Sequence, residues 1–405
     1  MTACSSESSL DARDSARSAS PGAERGKPRL AIGVTSDQTC LVLRGRLRAL
    51  RLAGFEVTLI SAPGETLTRL AGEEGVNACP VAMRRGISPV ADMISLVAIW
   101  RILQRLRPSI TDFSTPKAGL LGNLAAWSLG IPHRIYTLRG LKLEGSKGIK
   151  RRLLLAAEQA TARCAHRVLC NSLSLRAAAG VLRIAPERKL CLLGDGSSNG
   201  VDAERFSPGE SRVREALGIS ENDFVLGFVG RLTRDKGVPE LLIAFEEILH
   251  REPRCRLLLV GWFDDAEDAL ERRWREHILG HPRISYTGFV LDTAPYYRAM
   301  DLFVLPTHRE GFPNVALEAS SCGLAVITTE STGARDAVLP EVTGLLIPPG
   351  IPEAIGEAVL TLFADAERRK SMGNAGRAWV LERYTKERVL GLAVEFYLGL
   401  LKAIH

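Results

Sequence analysis

The amino-acid sequence predicts an α/β protein of two doubly wound domains, each a parallel sheet covered by helices on both faces. Continuous apolar runs alternate along the chain with amphipathic helical stretches, which is the pattern of parallel strands joined by helical crossovers. The pattern begins twice, near residue 29 and again near residue 224. A chain of 405 residues is also too long for one ordinary hydrophobic core and fits two domains.

The first half opens with a βαβ unit. From residue 29, "RLAIGVTSD" has the pattern of a strand, "LVLRGRLRALRLAGF" that of a helix and "EVTLISAP" that of a second strand. The helix places Leu43, Leu47 and Leu50 on one stripe and ends at Gly54. These segments are predicted to start the first parallel sheet.

The second half repeats this order with "FVLGFVGRL" as a strand, "GVPELLIAFEEILHREP" as a helix and "RCRLLLVGW" as the next strand. Doubly wound sheets bind their ligands beyond the carboxyl ends of the strands, so the loops at those ends are the places to look for a site. The final stretch, "RVLGLAVEFYLGLLKAI", is predicted to be a long amphipathic helix that crosses back to the first half.

The domain boundary is predicted near "DGSSNGVDAERFSPGES", residues 195 to 211, where Gly, Ser, Asn and Pro concentrate. The first residues are rich in Ser, Ala and Arg and lack the apolar stretch of a secretory signal. The predicted organisation is a disordered tail at 1–29, Rossmann-like domains at 30–200 and 201–385, and the crossing helix at 386–405.

The charge distribution is uneven. Residues 30–200 carry 24 Lys and Arg against 11 Asp and Glu, whereas residues 201–405 carry 24 against 31. A basic domain favours a polyanionic partner, either nucleic acid or an anionic membrane surface. The basic stretches lack the interleaved aromatic residues on which bases stack, which argues against nucleic acid.

A membrane surface is therefore the predicted partner of the basic half. No apolar run reaches the roughly 18 residues needed to span a bilayer, so contact would be peripheral. The cations considered for this surface are Arg44, Arg46, Arg48, Arg51, Arg84 and Arg85, with Arg101, Arg105 and Arg107 at the end of the amphipathic stretch "ISPVADMISLVAIWRILQRLRP". The eight cysteines contain no C-x-x-C pair, which predicts reduced thiols in a cytosolic protein.

One candidate site is the loop in "GFVGRLTRDKGVPELLIAF". Gly230 and Arg231 come straight after a predicted strand, and Lys236 and Gly237 come just before a helix. Two cations on one βα loop, with a glycine that lets the backbone approach closely, suit a diphosphate. Because these cations can neutralise a diphosphate, no metal is required, and the "DDAED" run at 264–268 is interpreted as a solvated loop.

A second candidate is "HREGFPNVALEASSCG", residues 308 to 323, between a buried strand and a helix. Glu318 lies four residues after Asn314 on the same face of that helix, where a carboxylate can accept both hydroxyls of a ribose while phosphates reach the helix start. Glu310, in the loop, would face whatever the diphosphate carries.

The segments "GFVGRLTRDKG", "LPTHREGFPNVALEASSCGLAVITTESTGARDAV" and "VTGLLIPPG" together resemble the donor domain of the retaining GT-B glycosyltransferases with an E-x7-E motif. The resemblance covers nearly everything from residue 30 to about 395. In the first half, "STPKAGLLGNLAAWSLGIPHRIYTLRG" and "GSSNGVDAERFSPG" are similar to the bacterial subgroup that builds capsular, exopolysaccharide or O-antigen repeat units on a polyprenyl diphosphate.

This resemblance implies a metal-independent, retaining hexosyltransferase of GT-B architecture that uses no cofactor. It would move a sugar from a nucleotide diphosphate sugar, usually UDP-hexose or UDP-HexNAc in this subgroup, to a polyprenyl-diphosphate-linked glycan. The second half would bind the donor and the first half the acceptor. The enzyme would be cytoplasmic and peripheral to the inner face of the plasma membrane.

The resemblance also implies roles for individual residues. Arg231 and Lys236 would bind the donor diphosphate, Glu318 the ribose and Glu310 the sugar hydroxyls. The implied donor-binding set is Gly230, Arg231, Lys236, Glu310, Gly311, Phe312, Asn314, Val315 and Glu318, and the implied catalytic set is Glu310, Arg231, Lys236 and Arg139.

The sequence departs from the family at two places. Asp112 and Ser114 stand in a segment where many relatives have an H-x-H-like pattern, and Arg139 in "YTLRG" stands where many have a catalytic-loop histidine. Arg139 would support the leaving diphosphate or the donor sugar from the opposite side of the cleft, or would only pair with a carboxylate.

Two other functions remain open at this point. A GT-B-fold nucleotide-sugar epimerase would need further acid and base carboxylates that the sequence does not indicate. A non-catalytic protein that binds an anionic membrane or nucleic acid would need neither of the two glutamates. Transfer or donor-hydrolysis assays separate the three functions.

Overall fold

A computed structural model describes residues 27–84, 86, 88–265 and 268–402, so nearly all of the predicted N-terminal tail lies outside the described residues. The strands of the first half are β1 (Arg29–Gly33), β2 (Glu56–Ser61), β3 (Asn77–Pro80), β4 (Ile110–Ser114), β5 (His133–Leu138), β6 (Arg167–Cys170) and β7 (Leu190–Leu192). Its helices are α1 (Arg46–Leu52), α2 (Glu65–Glu74), α3 (Pro89–Leu106), α4 (Pro116–Ser128), α5 (Gly148–Cys164) and α6 (Leu173–Val181).

The second half is built in the same way. Its strands are β8 (Phe224–Val229), β9 (Cys255–Val260), β10 (Ile284–Tyr286), β11 (Leu302–Leu305), β12 (Val326–Thr329) and β13 (Gly344–Ile347). Its helices are α7 (Val213–Ala216), α8 (Val238–Arg251), α9 (Arg272–Gly280), α10 (Ala294–Tyr297), α11 (Asn314–Ser321), α12 (Pro352–Ala364) and α13 (Ala366–Arg383), and α14 (Lys386–Lys402) follows them.

Each half contains one parallel sheet, which confirms the predicted α/β class. The first sheet has the order β3-β2-β1-β4-β5-β6-β7 and the second has the order β10-β9-β8-β11-β12-β13. In the second sheet, Leu226 of β8 lies opposite Leu257 of β9 on one side and Leu302 of β11 on the other. The strand order therefore reverses beside β8, and the loops after β8 and β11 leave the sheet at the place where such folds bind ligands.

The first predicted helix is interrupted. Residues Gln38–Leu43 form a 3-10 helix, and α1 starts only after Gly45, whose φ is +81°. The amide of Gly45 donates to the carboxylate of Glu74 at 3.0 Å from each oxygen. This acceptor belongs to α2, so the stripe of leucines could not show that the predicted helix is interrupted at Gly45. Leu43, Leu47 and Leu50 are all buried, as the stripe predicts.

The chain passes between the halves twice, at adjacent places. The amide of Val201 donates to the carbonyl of Tyr384 at 2.8 Å, and the amide of Lys386 donates to the carbonyl of Val201 at 2.9 Å. Beyond this point α14 packs against α1, and its Tyr397 is buried in the core of the first half. The last helix thus covers the first sheet, although it follows the second one in sequence.

Most arginines of the first helix are engaged within the protein. Arg44 contacts the carboxylate of Glu73 at 3.4 Å, Arg48 donates to the carbonyl of Glu73, and Arg51 donates to the carbonyl of Glu74 at 3.1 Å. These contacts fasten α1 to the end of α2. The three arginines are nevertheless exposed, so their part in a membrane-facing surface stays a prediction.

The assignment of Arg46 to that surface is wrong. Its side chain is 1% exposed, and its guanidinium donates to the carbonyl of Ser198 in the linker. The helix turn that follows Gly45 directs this cation into the protein instead of outward. Arg85, another cation considered for the surface, lies outside the described residues.

Candidate active site

The two loops that carry the predicted donor site lie side by side. The strands that precede them, β8 and β11, are neighbours in the second sheet. The amide of His308, after β11, donates to the carbonyl of Asp235, after β8, at 2.9 Å. This hydrogen bond holds the loop of Lys236 against the loop of Glu310.

Lys236 and Glu310 form an ion pair, in which Lys236 Nζ donates to Glu310 Oε1. Their side chains are 16% and 14% exposed, so water screens the pair only partly. Lys236 ends the 3-10 turn Arg234–Lys236, and Gly237 follows with a φ of +71°. A Cβ atom at Gly237 would lie 2.0 Å from the carbonyl oxygen of Pro306, so only glycine permits the turn that presents the lysine.

The backbone around Glu310 is fixed from two sides. Its amide donates to the carbonyl of Thr332 at 3.0 Å. On the other side, a Cβ atom at Gly311 would lie 2.1 Å from the carbonyl oxygen of Arg139. Because Arg139 belongs to the first half, the absence of a side chain at position 311 lets the two halves meet directly beside Glu310.

Arg231 stands at the edge of the same loop. The amide of the preceding residue, Gly230, donates a hydrogen bond of 2.9 Å to the carbonyl of Val260 in β9. The guanidinium of Arg231 donates to Asp264 Oδ2 at 2.8 Å and lies 3.8 Å from Asp235. Asp264 therefore holds a partly exposed cation in place next to the Lys236–Glu310 pair.

Arg309 is a cation of this region that the sequence analysis did not identify. Its Nη2 atom donates to Asp235 Oδ2 at 3.1 Å and to Asp268 Oδ2 at 2.9 Å. The "DDAED" run, interpreted from sequence as a solvated loop, thus supplies counter-ions to three arginines: Asp264 to Arg231, Asp265 to Arg275 and Asp268 to Arg309. Its residues 266 and 267 lie outside the described part of the chain.

A cleft opens beside these loops. Its volume is about 850 Å³, and it is lined by Asp235, Trp274 and Arg309 of the second half and by Glu144 and Gly145 of the first. Pockets of roughly 300–1,000 Å³ are typical of small-molecule sites. Both halves border this space, but none of the predicted donor-binding residues lines it: the cleft lies on the side of the loops that Asp235 and Arg309 face.

Helix α11 begins directly behind the loop of Glu310. Its first residue, Asn314, accepts a hydrogen bond of 2.9 Å from Ser197 Oγ of the linker. Phe312 is buried, and its ring packs against Tyr384 with 5.5 Å between centroids. Phe312 can therefore contribute only its backbone to a ligand, while the helix start offers amide groups that lack an intrahelical acceptor.

Glu318 lies one turn below that helix start. The hydroxyl of Tyr297 is 2.9 Å from Glu318 Oε2 and 3.2 Å from the carbonyl of Val315. Burial raises the pKa of the Glu318 carboxyl to about 7, although the hydrogen bond from Tyr297 favours its ionised form. Tyr297, in "APYYRAM", was not predicted to belong to the site.

Arg139 follows β5, with its guanidinium turned toward the linker and the core of the first half. Nη1 donates to Ser198 Oγ at 2.9 Å, while Nε and Nη2 are buried and have no hydrogen-bond partner among the described residues. Burial and the nearby charge of Arg46 lower its pKa to about 10. The predicted site thus gains the carbonyl of Arg139 beside Gly311, whereas the side chain points elsewhere.

Asp112, at the first of the family's two histidine-like positions, is buried in the same region. It accepts hydrogen bonds from Thr137 at 2.7 Å and from the hydroxyl of Tyr397. Its charge favours the protonated form of the neighbouring Arg139. This carboxylate therefore joins α14 to the strand ends of the first sheet.

Two general features of the described residues bear on function. Within 27–84, 86, 88–265 and 268–402, no group of three or more His, Cys, Asp or Glu side chains is arranged to hold a metal ion. In the same residues, no helix combines the length and the apolar character needed to cross a bilayer. The seven cysteines that they include are free thiols.

Two facing parallel-sheet domains with charged loops at their strand ends form the GT-B architecture, and family comparisons identify the class of enzyme that carries it here. Residues 223–365 match the model for glycosyl transferases group 1, and residues 42–196 match the model for the glycosyl transferase 4-like domain. The chain therefore belongs to the GT-B glycosyltransferases that carry these domains. Membership favours glycosyl transfer over the epimerase and over a protein that only binds.

Two curated relatives are similar over most of their length. The chain is 34% identical over 355 residues to the capsular polysaccharide biosynthesis glycosyltransferase CapM of Staphylococcus aureus, covering 87% of this chain and 92% of CapM. It is 29% identical over 301 residues to the UDP-Gal:α-D-GlcNAc-diphosphoundecaprenol α-1,3-galactosyltransferase of Escherichia coli, covering 72% and 76%. The chain is thus a glycosyltransferase similar to one named for capsular polysaccharide biosynthesis and to one named for a diphosphoundecaprenol-linked substrate.

Solved structures share the fold. Sucrose-phosphate synthase from Thermosynechococcus elongatus superposes with a TM-score of 0.78 at 21% identity, covering 93% of this chain and all of that one. HepE from Anabaena, in complex with UDP and glucose, superposes with a TM-score of 0.77 at 19% identity, covering 92% and 100%. The predicted GT-B architecture is confirmed.

Proposed function

We propose that the chain is a retaining, metal-independent hexosyltransferase that moves a sugar from a nucleotide diphosphate sugar to a polyprenyl-diphosphate-linked glycan. The observation that carries the proposal is the Lys236–Glu310 ion pair, which stands at the start of α11 with Glu318 one turn below. A diphosphate that reaches this place meets Lys236, Arg231 and the amides of the helix start. The ribose then lies at Glu318 and the sugar at Glu310.

The ion pair suggests how donor binding prepares the site. Without ligand, the ammonium of Lys236 neutralises Glu310. A diphosphate, with its two negative charges, competes for that ammonium and releases the carboxylate to accept hydrogen bonds from sugar hydroxyls. The donor thereby arranges the groups that hold its own sugar.

Departure of the diphosphate creates negative charge that must be stabilised. Lys236 and Arg231 are fixed near it by Glu310, Asp235 and Asp264, so little reorganisation is needed as the charge develops. These cations perform the role that a metal ion has in other transferases. Arg139 contributes its backbone beside Gly311, and its guanidinium acts as a positioning group for the linker.

The nature of the donor and acceptor is supported by the relatives. The E. coli relative uses UDP-Gal and a diphosphoundecaprenol-linked GlcNAc, and the Anabaena neighbour was solved with UDP and glucose. We assign UDP-hexose or UDP-HexNAc as the donor class here and place the acceptor against the first half. An acceptor of this kind is membrane-bound, so the enzyme would work at the inner face of the plasma membrane.

The stereochemistry can be tested directly. With an α-linked nucleotide sugar and a polyprenyl-diphosphate-linked GlcNAc acceptor, the product should carry an α-glycosidic bond, as seen in the anomeric proton coupling in its NMR spectrum. A β-linked product would show inversion and would overturn the retaining assignment.

EDTA in excess should leave the initial rate of transfer nearly unchanged. The diphosphate is neutralised by Lys236 and Arg231, so removal of divalent ions takes nothing from the site. The measurement compares rates in EDTA with rates after adding back Mg²⁺ or Mn²⁺. Loss of activity in EDTA with recovery on addition of either ion would assign a metal to the reaction.

Donor affinity should rise as the pH increases from about 6 to 8. Glu318 has a pKa of about 7 without ligand, and ribose hydroxyls donate to its ionised form, so binding should release protons below that pH. UDP-glucose is a suitable probe because its diphosphate does not titrate near neutrality. Calorimetry in buffers of different ionisation enthalpy measures the released protons.

The matched variant for this experiment is Glu318→Gln, which keeps the shape of the side chain. It should bind the same donor about ten- to a hundredfold more weakly, as expected for the loss of hydrogen bonds to a charged group, and its affinity should no longer depend on pH near 7. An unchanged pH dependence in this variant would remove Glu318 from the ribose site.

A further inference from the structure

An unpartnered apolar stripe runs along α3 in the first half. Val90, Met93, Ile94 and Val97 recur at the spacing of one helical face, and they are between 41% and 76% exposed. The opposite side of the helix is packed on the protein, with Ile99 fully buried. An apolar face of this kind on a helix surface is unusual unless something covers it.

The stripe continues onto neighbouring helices. Helix α4 packs against both α3 and α5, and each contributes exposed apolar side chains: Trp127 from α4 and Ile149 and Leu153 from α5. We call the outer surface of these three helices the α3–α5 face. The three helices lie side by side, and each exposes large apolar side chains on this face.

Cations surround this apolar region. Arg101 and Arg105 are exposed on α3, and Lys150, Arg151 and Arg152 are exposed at the start of α5. The mixture of large apolar residues and cations is typical of surfaces that lie in the boundary of a lipid bilayer.

Negative charge is almost excluded from the same face. The three helices, which lie wholly within the described residues, contain two acidic side chains, Asp92 and Glu158. Asp92 is ion-paired with Lys117, and Glu158 is buried and accepts a hydrogen bond from Tyr136. The three helices therefore contribute more positive than negative charge to the α3–α5 face.

A shallow groove between α3 and α4 adds to the apolar area. It has a volume of about 230 Å³ and is lined by Leu96, Val97, Trp100, Leu124, Ala125 and Ser128. The hydroxyl of Ser128 is turned to the carbonyl of Ala125 at 2.9 Å, which leaves hydrocarbon at the groove surface. A groove of this chemistry accepts part of an acyl chain.

We propose that the α3–α5 face is the surface by which the enzyme docks on an anionic lipid bilayer. The stripe of α3 and the side chains of Trp127 and Ile149 enter the headgroup–acyl boundary, and the surrounding cations contact lipid phosphates. The proposal deepens the proposed function, on which its biological purpose rests. It keeps the α3 stretch of the predicted surface, adds α4 and α5, and leaves out the arginines of α1. Docking there brings the first half, where the acceptor is placed, to the membrane.

The proposal is tested by co-sedimentation of the full chain with vesicles of phosphatidylcholine alone or with about one-third phosphatidylglycerol. Binding should be strong only with phosphatidylglycerol, and it should fall as salt is raised because charges are screened. Arg101→Glu with Arg105→Glu should weaken partitioning by about 10²-fold or more, and Met93→Ser with Ile94→Ser by about tenfold.

The matched controls are Arg251→Glu and Leu279→Ser, which change an exposed cation and an exposed apolar residue in the second half; both should bind vesicles like the parent. Circular dichroism melts check that each variant is folded. Equal binding to neutral and anionic vesicles, or full binding by both α3 variants, would overturn the proposal.

A second copy of the chain is the rival occupant of this face. Sedimentation velocity without lipid should show a monomer; a dimer that Met93→Ser with Ile94→Ser converts to monomer would assign the face to self-association and overturn the proposal. Vesicle binding needs neither donor nor acceptor. An enzyme that failed to transfer sugar but docked through this face would therefore contradict only the proposed function.

Discussion

Replacing Lys236 with alanine is expected to lower kcat/KM for the nucleotide sugar by about 10²–10³-fold, equivalent to about 3–4 kcal/mol of transition-state stabilisation. The substitution removes the ammonium that would meet the departing diphosphate. It also leaves the carboxylate of Glu310, now without its ion-pair partner, to repel that diphosphate. Initial rates over a range of donor concentrations, measured as release of nucleoside diphosphate, give the change.

Three further variants define the origin of this loss. Arg231→Ala should lose about 10²-fold, since it removes the second cation, and Lys236→Arg should recover part of the activity because the charge is kept. Arg251→Ala is the control, because its side chain is exposed at the far end of α8 from these loops, and it should retain activity within a few-fold. Thermal melts should be similar for all four. If Lys236→Ala and Arg231→Ala both stay within a few-fold of the parent, the diphosphate binds elsewhere.

Replacing Glu310 with glutamine is expected to lower kcat by about 10²-fold or more, as expected for the loss of a charged group that acts on the transferred sugar. The amide keeps the size of the side chain, but it is uncharged and has only one oxygen that can accept hydrogen bonds from sugar hydroxyls. It also frees the ammonium of Lys236 from its ion pair. Turnover with saturating donor measures the effect on the chemical step.

The glutamate and the lysine should differ in how they bind a nucleotide without sugar. Glu310→Gln should bind the free nucleoside diphosphate as tightly as the parent or more tightly, since Lys236 is then fully available. Lys236→Ala should bind it at least tenfold more weakly, a loss of about 1.4 kcal/mol. Equal weakening in both variants, measured by calorimetry, would place Glu310 at the phosphates and not at the sugar.

The sequence was sufficient to predict the two parallel sheets and to place Lys236 and Glu310 in loops that follow strands of the second sheet. Parallel strands buried on both faces give continuous apolar runs, so β8 and β11 were recognisable. Lys236 and Glu310 follow those two strands, and carboxyl ends of neighbouring parallel strands meet at one edge of a sheet. Their ion pair is therefore a consequence of the strand order, in which β8 and β11 are neighbours, and the sequence analysis did not predict that order.

The groups that support these charges could not be predicted in the same way. The hydroxyl of Tyr297 in α10 donates to Glu318, and the guanidinium of Arg309 in the neighbouring loop donates to Asp235. Such contacts depend on how helices and loops pack in three dimensions, and no local pattern distinguishes Tyr297 from an ordinary core tyrosine. The only local signal at Arg309 was its position beside Glu310.

Which side chains of the first half are exposed could also not be predicted from the sequence alone. A row of arginines on α1 suggested an exposed basic helix, yet the carboxylate of Glu74 breaks that helix and Arg46 is buried. The apolar character of α3 was evident in the sequence. Which of its sides faces outward was decided by packing against α4, and this left the stripe from Val90 to Val97 exposed.

The most direct test of the central claim is a thermal-shift measurement on the full chain with UDP-, GDP- and dTDP-sugars. A ligand at a hundred times its dissociation constant adds about 2.7 kcal/mol of stability, which raises the Tm of a domain of this size by roughly 5–10 °C. One class of nucleotide sugar should produce this shift in the parent, and Lys236→Ala should require at least tenfold more of it. No shift with any of the three at about 10 mM, well above the usual range of KM values, would contradict a nucleotide-sugar site in the second half.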